Sequence, residues 1–184
     1  MQGRPAVEDD PSPAVGPGAP RGGSENRALE YVGKDVRVVI ARFAPSVHGI
    51  GDHGFIASVA AAARRHRVSA YIGDGSATWG TVHRPDAARL IRLGLESAPA
   101  GSRLHAVAEE AVSTRAIAEA IGSALDVPVV SVAPENAAEH FGFVGSFFGM
   151  TMSASSARTR ELLAWTPTGP TLTEDIRNGA YAGA

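Results

Sequence analysis

The hexapeptide Gly49-Ile50-Gly51-Asp52-His53-Gly54 spells G-x-G-x-x-G behind an apolar run and ahead of a helical pattern, with Asp74 about twenty residues further on. Residues of those types in that order can bind a dinucleotide. Glycines let backbone N–H groups approach a diphosphate, a helix N-terminus adds positive potential, and the acid takes a ribose hydroxyl. The position of the hexapeptide opposes that reading here. Ala44 to His48, Pro45 among them, separate the apolar run from Gly49, so a diphosphate on the glycines would not meet the helix where the strand ends. The simpler readings are a pliable loop with Gly51 and Gly54 at positive φ, or a loop that faces a substrate.

Other residues suited to chemistry are scattered. His48, His53 and His83 read first as surface or hydrogen-bonded imidazoles, and no two stand at helical ligand spacing beside a fixed acid, so no metal site is expected. Cysteine is absent, which excludes disulfides, thiolate metal ligands and a cysteine nucleophile together. Ser24, Ser113 and Ser155 stand at helix starts without a G-x-S-x-G elbow. Trp79 reads as a half-buried anchor, or as a platform for a ligand. Phe141, Phe143, Phe147 and Phe148 form an aromatic segment at near-helical spacing, suited to a core or to a docking surface.

The elements that must position these residues follow from patterning. Val36 to Phe43 is a run of β-branched and apolar residues too short for an ordinary helix, and predicts a parallel strand covered on both faces. Met1 to Gly23 alternates prolines and glycines with few large apolar residues and reads as loop or disorder. Ser24 offers an N-cap ahead of a short helix that Gly33 ends. Helix 55–67 carries Ile56, Val59, Ala60 and Ala63 on one side, with Arg64, Arg65, His66 and Arg67 complementing its C-terminal dipole. Val68 to Gly73 predicts a strand, Asp74-Gly75 a turn, and Thr78 to His83 a returning strand. A helix with Pro85 at its start, a buried strand over 103–107, a helix capped by Ser113, a strand over 127–132, and helices over 135–141, 155–165 and from 172 or 173 complete the chain.

With 184 residues and a formal net charge of -2, the chain suits one domain and has no basic field to draw nucleic acid. The first twenty residues lack the basic start and apolar stretch of a signal peptide, and nowhere do about 18 apolar residues run together. The expectation is a soluble cytoplasmic protein without a membrane or nucleic-acid partner.

From Gly3 onward these pieces, in this order, resemble the carboxyl-terminal part of the NAD-dependent epimerase/dehydratase family, the extended and atypical short-chain dehydrogenase/reductases. Arg42 to Gly51 is similar to the family's strand-end segment, with His48-Gly49-Ile50-Gly51 where the family closes in Tyr-Gly-Pro-Gly. Gly73-Asp74-Gly75 and Val82-His83-Arg84-Pro85-Asp86-Ala87-Ala88 resemble its Gly-Asp-Gly turn and its Val-His-Val-x-Asp-x-Ala helix start. His105 to Glu110, the helix after Ser113, and Ser155 to Trp165 with Pro167-Thr168 resemble its closing segments, which end Leu-Gly-Trp-x-Pro.

The resemblance implies an α/β fold: a partial Rossmann-type parallel sheet made of the last strands, with the small C-terminal substrate lobe, over residues 24–184. It implies NAD or NADP as cofactor and a small-molecule, sugar-like substrate. Pro45, Ser46 and Val47 match the segment passing the nicotinamide end of the cofactor, and His48, His53, Trp79 and His83 match regions that face substrate. The family's glycine-rich turn and first β-α units would lie before Met1. Its Tyr-x-x-x-Lys dyad falls on Arg21 and Glu25, where a guanidinium and a carboxylate cannot replace a phenol and an ammonium in proton exchange with a carbinol. No catalytic residue is therefore expected, and the chain reads as a truncated or degenerate oxidoreductase or epimerase-like protein. A non-catalytic dinucleotide or metabolite sensor, or an interaction module using Phe141 to Phe148, are the alternatives. A strand without its neighbour would favour homo-oligomers.

Overall fold

The computed structural model describes residues 4–14 and 22–183. Helix α1 (Gly22–Leu29) is followed by strands β1 (Ile40–Phe43) and β2 (Ser46–His48), helix α2 (Phe55–His66), then β3 (Ser69–Ile72) and β4 (Thr78–His83). Next come α3 (Arg84–Ser97), β5 (Arg103–Ala106), β6 (Glu109–Ser113), α4 (Thr114–Leu125) and β7 (Val129–Val132). Short helices α5 (Ala137–Phe141) and α6 (Gly145–Phe148) precede α7 (Ala157–Leu163) and α8 (Leu172–Arg177).

The strands pair in three groups, mostly in parallel. β1 runs parallel to β5 with Arg42 opposite His105, and β2 runs parallel to β4 with His48 opposite His83. β6 joins β4 antiparallel, and β3 runs parallel to β7. Two expectations change. Thr78 to His83 does not return along the strand before it. Gly73 and Gly75 hold φ of 63° and 71°, and Asp74 Oδ1 accepts the Ser76 N–H, so the turn sends the chain into a different sheet. The partner of β3 is instead β7, reached through α4 as a crossover that parallel pairing requires. Nor is Val36 to Phe43 covered on both faces: the strand begins at Ile40, and Val36 and Phe43 are 46% and 50% exposed. Only β5 pairs with it among the described residues.

Helix starts follow local chemistry. Ser113 Oγ accepts the Ala116 N–H at 3.1 Å, capping α4 as its position predicts. Thr171 and Glu174 close a capping box on α8. Ser24, by contrast, lies inside the first turn of α1, which already begins at Gly22. Ser155 lies just outside α7, whose N-cap is Ser156.

The apolar faces meet in two clusters. Ile56 and Val59 of α2, Ile117 and Ile121 of α4, Trp79, Phe141, Phe148, and Leu172 and Ile176 of α8 form one. Val82, Leu90, Leu104, Leu163 and Trp165 form the other, around α3, α7 and β5. Full burial of such side chains contributes about 1.5–3 kcal/mol each. Asp86 pins the closing segment to α3, its carboxylate accepting the backbone N–H groups of Thr168 and Gly169 while Trp165 Nε1 donates to its carbonyl. That contact joins Val82–Asp86 to Trp165–Thr168, which lie far apart in sequence.

Residues 4–14 form a loop that is tied down. Ala6 bridges Ala154, and Glu8, 3% exposed, accepts from both the N–H and the hydroxyl of Thr159. Arg4 pairs with Asp10 and holds its carboxyl at about 2. No helix among the described residues is long and apolar enough to cross a membrane.

Candidate functional site

β1 ends at Phe43, and the chain leaves that ladder at Pro45, which has no N–H to continue it, before β2 begins at Ser46. A cleft of about 540 Å³ opens at that end. Phe43 and Pro45, Phe55 at the start of α2, Phe147 of α6 and Met152 give it apolar walls, and Asp10 to Pro13 of the tied loop close one side. Asp10, Ser12 and Ser153 add polar groups at its sides, and Glu25, Arg42 and His105 form a connected polar group on its floor.

Those polar groups hold one another. Glu25 accepts from Arg42 Nε and Nη2 at 2.9 and 2.6 Å, and from Arg103 Nε at 2.8 Å. The Arg42 guanidinium beside it, more than Arg103, draws the Glu25 carboxyl below its ordinary range. Arg42 also donates to the Asp10 carbonyl at 2.7 Å and lies 3.2 Å from His105 Nε2. His105 Nδ1 is 2.8 Å from the Ser155 carbonyl, so the tautomer with hydrogen on Nδ1 suits both contacts. The result is an apolar slot over a hydrogen-bonded polar floor. Such a slot can hold a ring-shaped ligand by its faces and orient its hydroxyls, but its carboxylate is already committed.

A second polar cluster lies away from the cleft, between β2, β4 and α8. His48 Nδ1 is 2.8 Å from Asp175 Oδ2, and His83 Nε2 is 3.9 Å from the same oxygen. His48 Nε2, His83 Nδ1 and Ser46 Oγ are buried without a hydrogen-bond partner. Burial pushes His48 below its ordinary range against the opposing pull of Asp175. Nearby, Tyr181 donates to Asp52 Oδ2 at 2.8 Å, and burial first, then Asp52, pushes its phenol up.

The residues singled out from sequence therefore separate. Pro45 lines the cleft, whereas Ser46 and His48 turn into the second cluster and Val47 packs toward the core. His83 joins His48 at a ring separation of 5.5 Å. His53 is exposed. Trp79 is fully buried, donates to the Met150 carbonyl and meets Phe148 edge-on, so it is a core anchor and not a platform. Gly51 has φ of 77° as expected, but the second such residue is Gly49 at 144°, while Gly54 caps α2 at −85°. Arg21 lies outside the described residues; Glu25 is spent on the two arginines.

The hexapeptide does not fit a diphosphate. Asp52 Oδ1 accepts the Gly54 N–H at 2.6 Å, so a carboxylate already occupies the N-terminus of α2, where the phosphate charge would have to sit. Among the described residues no three His, Asp or Glu side chains group as metal ligands would.

No protein-family model matches the chain. Two yeast relatives do. An uncharacterized protein of Schizosaccharomyces pombe is 46% identical over 175 residues, 95% of this chain and 58% of its own length. An uncharacterized protein of Saccharomyces cerevisiae is 40% identical over 154 residues, 84% of this chain and 52% of its own. The chain thus spans little more than half the length of these relatives. Among solved structures, the dTDP-glucose 4,6-dehydratase DesIV of Streptomyces venezuelae, with NAD and TYD bound, superposes at TM-score 0.72 and 19% identity, over 98% of this chain and 54% of DesIV. RMD of Pseudomonas aeruginosa, complexed with NADPH, gives 0.62 at 16% identity, over 86% and 53%. The fold is Rossmann-like.

Within that fold the groups that sequence reasoning missed are Asp175, Glu109 and the loop carrying Glu8 and Asp10. Asp175 is an ordinary first-turn acid of a helix, and nothing local marks it as the partner of an imidazole in β2. Glu109 accepts from Thr81 Oγ1, a contact the β4–β6 pairing creates, and from the Leu172 N–H, a contact the docking of α8 creates.

Proposed function

We propose that this chain is the substrate-side part of an NAD(P)-dependent epimerase/dehydratase-like protein, and that by itself it binds a small sugar-like ligand without turning it over. The observation that carries the reading is the cleft at the carboxyl end of β1, the place where open α/β sheets take ligands, with Pro45 on its wall and a ring-sized apolar slot over it. The cofactors in DesIV and RMD support NAD or NADP as the associated group. The Gly49–Gly54 loop offers no seat for a diphosphate, because the Asp52 carboxylate already takes the Gly54 N–H. Glu25, tied to Arg42 and Arg103, has no proton to exchange at neutral pH.

The test is thermal unfolding with dTDP-glucose, NAD(H) and NADP(H), alongside an absorbance assay for nicotinamide reduction. The nucleotide sugar should stabilise the chain by about 2.7 kcal/mol at a hundredfold excess over its Kd, with no cofactor turnover. Phe55→Asp, which puts a charge on the slot wall, should abolish that stabilisation. Turnover by this chain alone, or an unfolding curve that none of the ligands moves, would overturn the proposal.

A second reading has one observation behind it. Phe143 is 75% exposed and packs at 5.2 Å against Phe147, so part of the aromatic segment faces outward as a docking surface would. Concentration-dependent association lost in Phe143→Ser would favour that reading.

A further inference from the structure

The floor of the cleft carries more positive charge than its acids answer. Arg42 and Arg103 share the single carboxylate of Glu25, and the other carboxylate on the lining, Asp10, is matched by Arg4. Guanidinium groups stay protonated at any ordinary pH, so one positive charge is left over in that connected set. His105 adds no counter-charge: with hydrogen on Nδ1, bonded to the Ser155 carbonyl, its ring is neutral. Glu8 is taken by Thr159 and does not line the cleft.

Counting donors on Arg42 points the same way. A guanidinium has five N–H groups. Nε and Nη2 donate to Glu25, Nη2 donates also to the Asp10 carbonyl, and Nη1 faces His105 Nε2. One N–H of Nη1 therefore has no partner among the described residues, on a side chain that lines the cleft. That side chain is 23% exposed, so water screens its charge only in part.

The walls fix the rest of the occupant. Phe43, Pro45 and Met152 present apolar surface, and Phe55 and Phe147 stack at 5.5 Å as one wall. An apolar slot with one uncommitted donor on a cation selects a ring that carries one small acid. A carboxylate brings a single charge, whereas a phosphate monoester brings nearly two and three acceptor oxygens, more than this floor can answer. We infer that the cleft, taken as the ligand site proposed above, binds a ring-shaped monocarboxylate whose acid group meets the remaining Nη1–H of Arg42. Two kinds of ring have that chemistry, a sugar acid and an aromatic acid, and apolar walls accept the faces of either.

The experiment is titration calorimetry of this chain with two matched pairs, glucuronate against glucose and benzoate against benzyl alcohol. At least one acid should bind about tenfold more tightly than its neutral mate, a preference that shrinks in about 0.5 M salt. The pair that shows it identifies the ring. Arg42→Gln should erase the preference. Glu25→Gln, which removes a competing charge and keeps an acceptor oxygen, should instead raise acid affinity about tenfold. A merely structural role for these two residues would lower binding in both variants. If circular dichroism shows that Arg42→Gln does not fold, the Glu25→Gln gain and the salt dependence still decide. Equal binding of acid and neutral mates, both abolished by Phe55→Asp, would overturn the inference and leave the cleft as the ligand site. Tighter binding of glucose 6-phosphate than of glucuronate would overturn it too, as would a preference that Arg42→Gln leaves unchanged. Binding of neither pair would remove the inference and the cleft together.

Discussion

His48 shows what burial does to a single residue. Its ring is 1% exposed against Asp175, with His83 and Glu109 also facing it, and burial holds its pKa below the ordinary histidine value despite the carboxylate. The unfolded chain therefore binds a proton that the folded chain refuses. Stability is complete above about pH 6.5 and falls as the pH drops from there toward the depressed folded value. His140 acts in the same direction, through burial first and then His66 and Arg65. Urea midpoints measured between about pH 7.5 and pH 5.5 should decline toward acid. His48→Gln should flatten that decline while costing about 1–3 kcal/mol at the upper pH, where a buried hydrogen bond to Asp175 is weakened. The sequence displays the imidazole but not its partner, because Asp175 and His48 are brought together by the packing of α8 on β2, and no local pattern encodes that. Trp79 is more deeply placed than its sequence reading. Read as a half-buried anchor or a ligand platform, it is fully buried, and a register shift between Trp79 and Thr81 accompanies the turn of the indole into the core.

Elements were more legible than residues, since their signals are local. The Ser113 cap and the apolar stripe of α2 follow from short patterns, whereas the Asp86–Trp165 contact joins segments far apart in sequence. Nor does the order of strands follow from a short pattern: nothing in Asp74-Gly75 says whether the next strand returns or departs. Gly122 tests how tightly that order is packed. In an exposed helix, Gly→Ala would add about 1 kcal/mol of helix propensity. Here a Cβ would stand 2.5 Å from Val129 Cγ2 and 3.1 Å from the Val127 carbonyl oxygen, so α4 would have to move off β7. Overpacking of that kind costs about 1–3 kcal/mol, which exceeds the gain. Gly122→Ala should therefore lower the thermal midpoint. Thr171→Ala, which opens the capping box of α8, should cost about 1 kcal/mol and loosen the lid over His48, visible as faster amide exchange in α8.

Across the whole molecule, the loop of residues 4–14 links three regions that are remote in sequence. Glu8 accepts from Thr159 of α7, Thr159 accepts from His105 of β5, and Asp10 to Pro13 then form one side of the cleft. Composition pointed to loop or disorder because prolines and glycines cannot make a core, but a loop needs only a few well-placed hydrogen bonds to be held. Glu8→Ala removes the acceptor from a buried N–H and a buried hydroxyl, and should cost about 2–4 kcal/mol. Glu8→Gln keeps an acceptor oxygen in place and should lose about 1 kcal/mol. If the loop is a wall of the binding site, the Ala variant should also become sensitive to protease within residues 4–14 and lose most of its ligand-induced stabilisation, while Gln keeps both near the parent values. Equal losses in the two variants would show that charge, not the hydrogen bonds, holds the loop. Lost stability with ligand response intact would remove the loop from the site and leave the cleft to Phe43, Pro45, Phe55 and Phe147.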